Sequence, residues 1–422
     1  MGLAAIFMVM LAVPKLTAQE HGTDFHEQDE KAEKAENAET AERYVWQAKN
    51  GDVKAQFILG RCYANGEGGV ACDSLEAFRW FLTAAENGHG EAAWEVARHY
   101  RQGMAPVATS LAAEWMEKAA ERGWAEAQYV MGESLAKADP PRMEEAAAWY
   151  LKAAEQNIPE AQHQLALLML EGSGVERNDT LAVAWLTKAA QAGVADAFYR
   201  LGECHAEGRG VRPSIIEAVK CFREAAGKGH AEAQLELATC YFNGKGVKAN
   251  CNEAKKWALE AARSGNAEAQ NFLGVCYTSG GCGKANMKEA QKWFALAAAQ
   301  KHPKGMYNEA TCLLSGLGVK TNVKKAMALF EDAAQQGNVE AQNKLAACYL
   351  LGEGVERDYE EAVKWARMSA DQGDPDGIYM LASCYLGGYG VKKGVINAIQ
   401  LFKEAAEKGH LGAKEALKEL EQ

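Results

Sequence analysis

One unit of about 36 residues recurs along almost the whole chain, and a period held that strictly leaves few folds open. The unit opens with Ala-Gln, runs through a Cys-Tyr pair, Gly-x-Gly-Val, Ala-x-x-Trp and Ala-Ala, and closes on Gly. Its opening position falls at Ala55, Ala92, Ala127, Ala161, Ala197, Ala233, Ala269, Gly305, Ala341, Gly377 and Ala413. Seven of the ten intervals between these positions are 36 residues, and the first three are 37, 35 and 34. Self-similarity at such a period is the signature of a solenoid, in which each unit contacts only its neighbours.

Inside the unit, Ala233, Leu237, Cys240 and Tyr241 fall at i, i+4, i+7 and i+8, the stripe of an amphipathic helix of about three turns. Gly244 and Gly246 then break the pattern, with counterparts at Gly172 and Gly174, Gly208 and Gly210, Gly316 and Gly318, and Gly352 and Gly354. Glycine after a helix supplies the left-handed conformation that other residues reach only with strain, so these pairs mark a turn. Ala254, Trp257, Ala258, Ala261 and Ala262 restore helical spacing, and Gly265 ends the second helix. Each repeat therefore reads as helix-turn-helix. A lone pair of such helices cannot bury its apolar face, so neighbours must stack, with alanines admitting close backbones and Trp, Tyr and Leu filling the space between.

These elements resemble the Sel-one-like repeat (SLR), a relative of the tetratricopeptide repeat, and the resemblance extends from residue 52 to about 421. It implies an all-α, right-handed α/α superhelical solenoid of about ten repeats over residues 52–410, serving as an adaptor or scaffold for other proteins and usually without catalysis. Four places depart from the pattern. Gly103 is followed by Met104 and Ala105, and Lys137 to Pro141 replace the glycine turn of the third repeat. In the eighth repeat Glu309 stands where Leu237 does in the sixth, and Leu329 replaces the tryptophan. Local helix geometry is expected to differ there.

The ends of the chain read differently. Residues 1–18 hold an eleven-residue apolar run, Leu3 to Val13, too short for the roughly 20 residues that span a bilayer and suited to a secretory leader. Export, to the periplasm or outside the cell, is the expectation, with no segment left to insert stably in a membrane after the leader is removed. Residues 19–35 form an acidic, solvated spacer. Residues 36–51 align with the second half of a repeat, Tyr44, Ala48 and Gly51 matching Phe81, Ala85 and Gly88, and would cap the first repeat. The polar stretch 411–422 caps the last, as solenoid ends require.

Charge and chemistry narrow the function. The formal net charge of -11 argues against a nucleic-acid partner, which would need clustered Lys and Arg. Of eleven cysteines, seven share one repeat position, Cys62, Cys204, Cys240, Cys276, Cys312, Cys348 and Cys384, where they read as small core residues. Equivalent residues of adjacent repeats lie one interhelix distance apart, beyond disulfide reach. Cys72, Cys221, Cys251 and Cys282 leave open within-repeat bridges Cys62 with Cys72, Cys204 with Cys221, Cys240 with Cys251 and Cys276 with Cys282, at unequal separations of 10, 17, 11 and 6 residues. His89, His230 and His410 follow the closing glycine and read as turn residues rather than metal ligands. The Gly-x-Gly turns follow helices, not strands, and so are not nucleotide loops. No cofactor, metal or catalytic constellation is indicated.

One pattern points to recognition. Phe57, Trp94, Tyr129, Tyr199, Tyr307 and Tyr379 share the third position of the first helix, with His163 in the same register. In tetratricopeptide-like arcs the first helices line the concave face, where such aromatics would anchor a peptide. Packing between repeats is the competing role for the same residues. The principal reading is a non-enzymatic exported scaffold whose partners are other proteins or peptides. The alternative, motivated by exported cysteine-rich relatives of this repeat, is a β-lactamase-like hydrolase or a cell-wall-binding protein.

Overall fold

A computed structural model describes residues 43–102, 108–278 and 284–420. The leader-like run, the acidic spacer, the Met104 turn and Cys282 lie outside the described residues. The described residues form helices and no strand, and the chain divides into two compact units, Met1–Ile158 and Pro159–Gln422. The first unit holds α1 (residues 43–49), α2 (Val53–Asn65), α3 (Ser74–Glu86), α4 (Gly90–Arg101), α5 (Ala108–Glu121), α6 (Ala125–Ala136) and α7 (Met143–Glu155). The second begins with α8 (Pro159–Glu171), α9 (Asp179–Gln191), α10 (Ala195–Glu207), α11 (Ile215–Gly227), α12 (Ala231–Asn243), α13 (Cys251–Arg263), α14 (Ala267–Thr278) and α15 (Met287–Ala299). It continues with α16 (Pro303–Ser315), α17 (Val323–Gln335), α18 (Val339–Leu351), α19 (Tyr359–Asp371), α20 (Pro375–Gly387), α21 (Val395–Glu407) and α22 (Leu411–Leu420). From α2 onward, even-numbered helices are the first of each repeat and odd-numbered helices the second, and each packs on the next within its unit.

Local chemistry sets the ends of these helices. First helices start at residues whose side chains accept the backbone N–H three positions on: Asp52, His89, His230, Asn266, His302, Asn338, Asp374 and His410. Histidine can do this only through an unprotonated ring nitrogen, and burial holds His89 and His302 below the ordinary histidine range. α2, α10, α12, α16, α18 and α20 end on left-handed glycines, such as Gly208 at φ 76, whereas α4 and α6, in the repeats that depart from the glycine turn, end on Gln102 and Lys137 with negative φ. The second glycine of the turn does something else. A Cβ on Gly210 would lie 2.1 Å from the carbonyl oxygen of Asp179, and one on Gly390 equally close to that of Tyr359. The turn thus rests against the start of the preceding repeat's second helix, which only a bare Cα permits.

The core is built from the alanine positions, with Ala84, Ala119, Ala153, Ala189, Ala225, Ala261, Ala297 and Ala333 each at 0% exposure. Close approach has further effects: a Cβ on Gly202 would lie 2.5 Å from the Phe222 ring, so the smallest residue sits where an aromatic ring crosses. The glutamine of Ala-Gln is buried and bonds backward. Gln56, Gln128, Gln234, Gln270 and Gln342 each donate Nε2 to the carbonyl eight residues earlier, the last turn of the preceding second helix. Their Oε1 atoms accept from the residue that ends their own repeat's second helix: Asn87 on Gln56, Gln156 on Gln128, Gln300 on Gln270, Gln372 on Gln342. In the sixth repeat that residue is Ser264, and Gln234 Oε1 is left without a partner. Where Ala93 replaces the glutamine, Arg122 reaches across to the equivalent carbonyl, that of Ala85.

Glu309, the departure at a core leucine position, is buried at 3% exposure, and Lys325 from the following helix meets its carboxylate at 2.7 Å. The charge is accommodated by a partner rather than by a change of helix path.

Candidate functional site

The six aromatics singled out on the first helices all lean on the second helix of their own repeat or on the surrounding core. Phe57 meets Phe81 at 5.7 Å between ring centroids, Tyr129 meets Tyr150 at 5.9 Å, and Tyr199 meets Phe222 at 5.9 Å. Tyr307 and Tyr379 lie 5.7 and 5.6 Å from Phe330 and Phe402. Trp94 is half-buried against the core of the first unit. Phe57, at 6% exposure, offers a partner almost no surface, whereas Tyr129, Tyr199, Tyr307 and Tyr379 stay half-buried.

A second contact on these rings was not legible in the repeat pattern. The histidines that begin the following repeat stack on them: His89 on Phe57 at 4.4 Å, His230 on Tyr199 at 4.5 Å and His410 on Tyr379 at 4.3 Å. His230 and His410 also face Asp196 and Asp376 through Nε2, at 3.1 and 3.3 Å. An Asp–His pair beside a tyrosine resembles a catalytic arrangement, yet Nδ1 of each histidine already accepts a backbone N–H. With both nitrogens engaged, neither imidazole is available as a general base. The Tyr199 hydroxyl is pushed above its ordinary range by burial and by Glu203, which keeps it neutral.

The cysteines behave as core residues. Cys62, Cys204, Cys240, Cys312, Cys348 and Cys384 are buried free thiols, and Cys62 with Cys72, Cys204 with Cys221, and Cys240 with Cys251 are unbridged. The Cys276–Cys282 pair lies outside the described residues. Burial pushes the Cys204 and Cys384 thiols up to about 11, so thiolate is scarce at neutral pH. Cys221 occupies the position that Trp149, Trp185 and Trp257 hold in other repeats, which accounts for one of the off-ladder cysteines. Among the described residues no group of three or more His, Cys, Asp or Glu is placed to hold a metal ion.

Concave features lie on both units. In the first unit a cleft of about 330 Å³ opens between α2, α3 and α4, where Arg61 and Arg98 alternate with Glu91 and Glu95. Arg98 pairs with Glu95 at 2.7 Å, and burial raises the Glu91 carboxyl despite nearby Arg61. In the second unit a cavity of about 120 Å³ lies between α8 and α10, walled by Leu167 and Leu170 and lined by Glu171, Glu203 and Glu207 together with Arg200 and Arg209, of which Arg200 pairs with Glu203 at 2.9 Å.

Comparison with known proteins gives the same architecture. The Sel1 repeat profile matches ten times, at residues 53–89, 90–124, 125–158, 159–194, 195–230, 231–266, 267–302, 303–338, 339–374 and 375–410. The crystal structure of c5321, a protective antigen of uropathogenic Escherichia coli strains displaying an SLR fold, is 27% identical with a TM-score of 0.79, covering 94% of this chain and 89% of that one. A Sel1 repeat protein from Oxalobacter formigenes is 26% identical with a TM-score of 0.59, covering 73% of this chain and 90% of that one. Chitin synthase regulatory factor 3 of Schizosaccharomyces pombe is 35% identical over 94 residues, which are 22% of this chain and 10% of that protein's length. Ten consecutive matches and a shared helical-hairpin architecture make the chain a member of the Sel1 repeat family.

Proposed function

We propose that the chain is a non-catalytic, exported repeat scaffold or adaptor that binds protein or peptide partners along the layer formed by its first helices. Repeats of this kind typically mediate protein–protein interaction and are generally non-catalytic. The observation that carries the reading is a set of half-buried aromatics at one register of the first helices α10, α16 and α20 of the second unit, Tyr199, Tyr307 and Tyr379. Each ring is held by a neighbouring aromatic and its residue stays partly exposed, so it can present amphipathic area at little entropic cost, as interface anchors do. Export rests on the apolar run Leu3 to Val13.

The test is selection of a random peptide library on the purified chain, followed by affinity measurement on the Tyr199→Ala/Tyr307→Ala variant, with circular dichroism to confirm retained helix. Selected peptides should bind the variant at least tenfold more weakly. Unchanged affinity on a folded variant would place the binding surface elsewhere.

A further inference from the structure

The edge on which each first helix turns into its second is not uniform along the second unit. In the sixth to eighth repeats it carries Lys245, Lys248, Lys284, Lys288, Lys320 and Lys324, all exposed and none in an ion pair among the described residues. The acids of that edge are already answered: Glu253 and Glu289 face Lys256 and Lys292 of their own helices at 3.8 and 2.6 Å. The residues that cap α13, α15 and α17 are Asn250, Asn286 and Asn322, so these positive helix ends lack the capping carboxylate that Asp73 and Asp358 supply in the first and ninth repeats. Glu353, Glu356 and Asp358 end the basic stretch at the ninth repeat.

Aliphatic side chains stand on the same edge. Ile215 and Ile216 open α11 at 40% and 58% exposure, and Leu317 and Val323 flank the eighth turn at 39% and 37%. Close backbone contacts join them to the lysines. A Cβ on Gly246, between Lys245 and Lys248, would lie 2.8 Å from the Ile215 carbonyl oxygen, and one on Gly318, beside Leu317, would lie 2.2 Å from that of Met287, next to Lys288. These turns are laid on the start of the preceding second helix, so basic and aliphatic residues share one rim. The aromatic register lies at the other end of the first helices, with Tyr199 and Tyr307 near the starts of α10 and α16.

We propose that this rim docks on an anionic phospholipid surface, its lysines meeting headgroup phosphates while Ile216, Leu317 and Val323 enter the boundary between headgroups and acyl chains. A nucleic acid would use the lysines and leave the aliphatic side chains in water, whereas a bilayer surface takes both. The association is peripheral: short aliphatic side chains on turns and helix starts reach the interface and no further. It leaves the first-helix layer free for a peptide, so it goes beyond the scaffold reading and does not depend on it.

The experiment is sedimentation of the purified chain with phosphatidylcholine vesicles, with and without phosphatidylglycerol, across a salt series. Vesicles containing phosphatidylglycerol should bind at least tenfold tighter, and the difference should shrink as salt rises. The variant Lys248→Gln/Lys288→Gln/Lys324→Gln should lose at least tenfold. The control Lys228→Gln/Lys304→Gln/Lys408→Gln removes the same charge from the opposite edge and should stay within twofold, with circular dichroism confirming retained helix in both. Ile216→Ser/Leu317→Ser/Val323→Ser should weaken vesicle binding at least threefold. Equal losses in the two lysine triples would overturn the proposal, because the vesicles would then be answering net charge without a site. No preference for phosphatidylglycerol would also overturn it. An unaffected serine variant, or a DNA duplex or poly-glutamate bound as tightly as the vesicles, would overturn the assignment to lipid.

Discussion

Replacing Gln342 tests whether buried glutamines link one repeat to the next. Its side chain is 1% exposed, donates to the Ala334 carbonyl at 2.9 Å and accepts from Gln372 at 2.8 Å. Gln342→Met keeps length and loses both bonds, each worth about 1 kcal/mol net. Little else is stranded: the Ala334 carbonyl still accepts from the Gly337 N–H at 3.0 Å, and the exposed Gln372 can return to water. Burying a thioether in place of an amide returns part of the loss, so the expected cost is about 1 to 2 kcal/mol. Gln234 is the internal control. It makes one such bond, to Ala226 at 3.2 Å, and its Oε1 is unpartnered, so Gln234→Met should cost less than about 0.5 kcal/mol or stabilise. Ser264→Gln should supply the missing donor and stabilise by about 0.5 to 1 kcal/mol. Repeat arrays need not unfold in one step, so the readout is hydrogen exchange of amides in α12–α13 and α18–α19 rather than one melting curve. A cycle completed with Gln372→Ala, which removes the donor, should give a coupling of about 1 kcal/mol. Additivity within about 0.3 kcal/mol, or equal costs at Gln342 and Gln234, would refute the reasoning.

Other consequences follow from single contacts. Gly265 has φ 92 and open space around it, so Gly265→Ala should cost only the left-handed strain of about 1 to 2 kcal/mol, whereas Gly210→Ala also drives a methyl into the Asp179 carbonyl and should cost clearly more by urea denaturation. Lys325→Met leaves Glu309 buried without its cation and should cost about 2 to 3 kcal/mol, short of a fully buried pair because the lysine is half exposed, while Glu309→Leu should be neutral or stabilising. Burial holds His163 below the ordinary histidine range; a base with a depressed folded value keeps its stability above the unfolded value of about 6.5 and loses it as pH falls from there towards the folded value. Thermal stability should therefore drop as pH falls below about 6.5, His163 contributing at most about 1.4 kcal/mol per unit beside His89 and His302, and His163→Tyr should make that slope shallower; an unchanged slope would mean that His163 is not among the groups responsible.

The repeat, its two helices and the glycine that ends the first were readable because they depend on residues close in sequence: periodic apolar positions and a left-handed glycine such as Gly244. Contacts between repeats were not. Gln342 bonds a backbone carbonyl, which carries no residue identity, so Ala-Gln served in the sequence only as a landmark. Gly208 and Gly210 look alike in sequence, yet one ends α10 and the other makes room for Asp179 of the preceding repeat. The third-position aromatics were visible as a register, but their stacking on His89, His230 and His410 appears only when the next repeat is in place.

The first-helix layer as a contact surface is tested most directly by hydrogen–deuterium exchange of the chain saturated with a library-selected peptide. Slowed exchange in α10, α12 and α16, with α11, α13 and α17 unchanged, is the predicted footprint. Protection confined to the second helices would contradict the account.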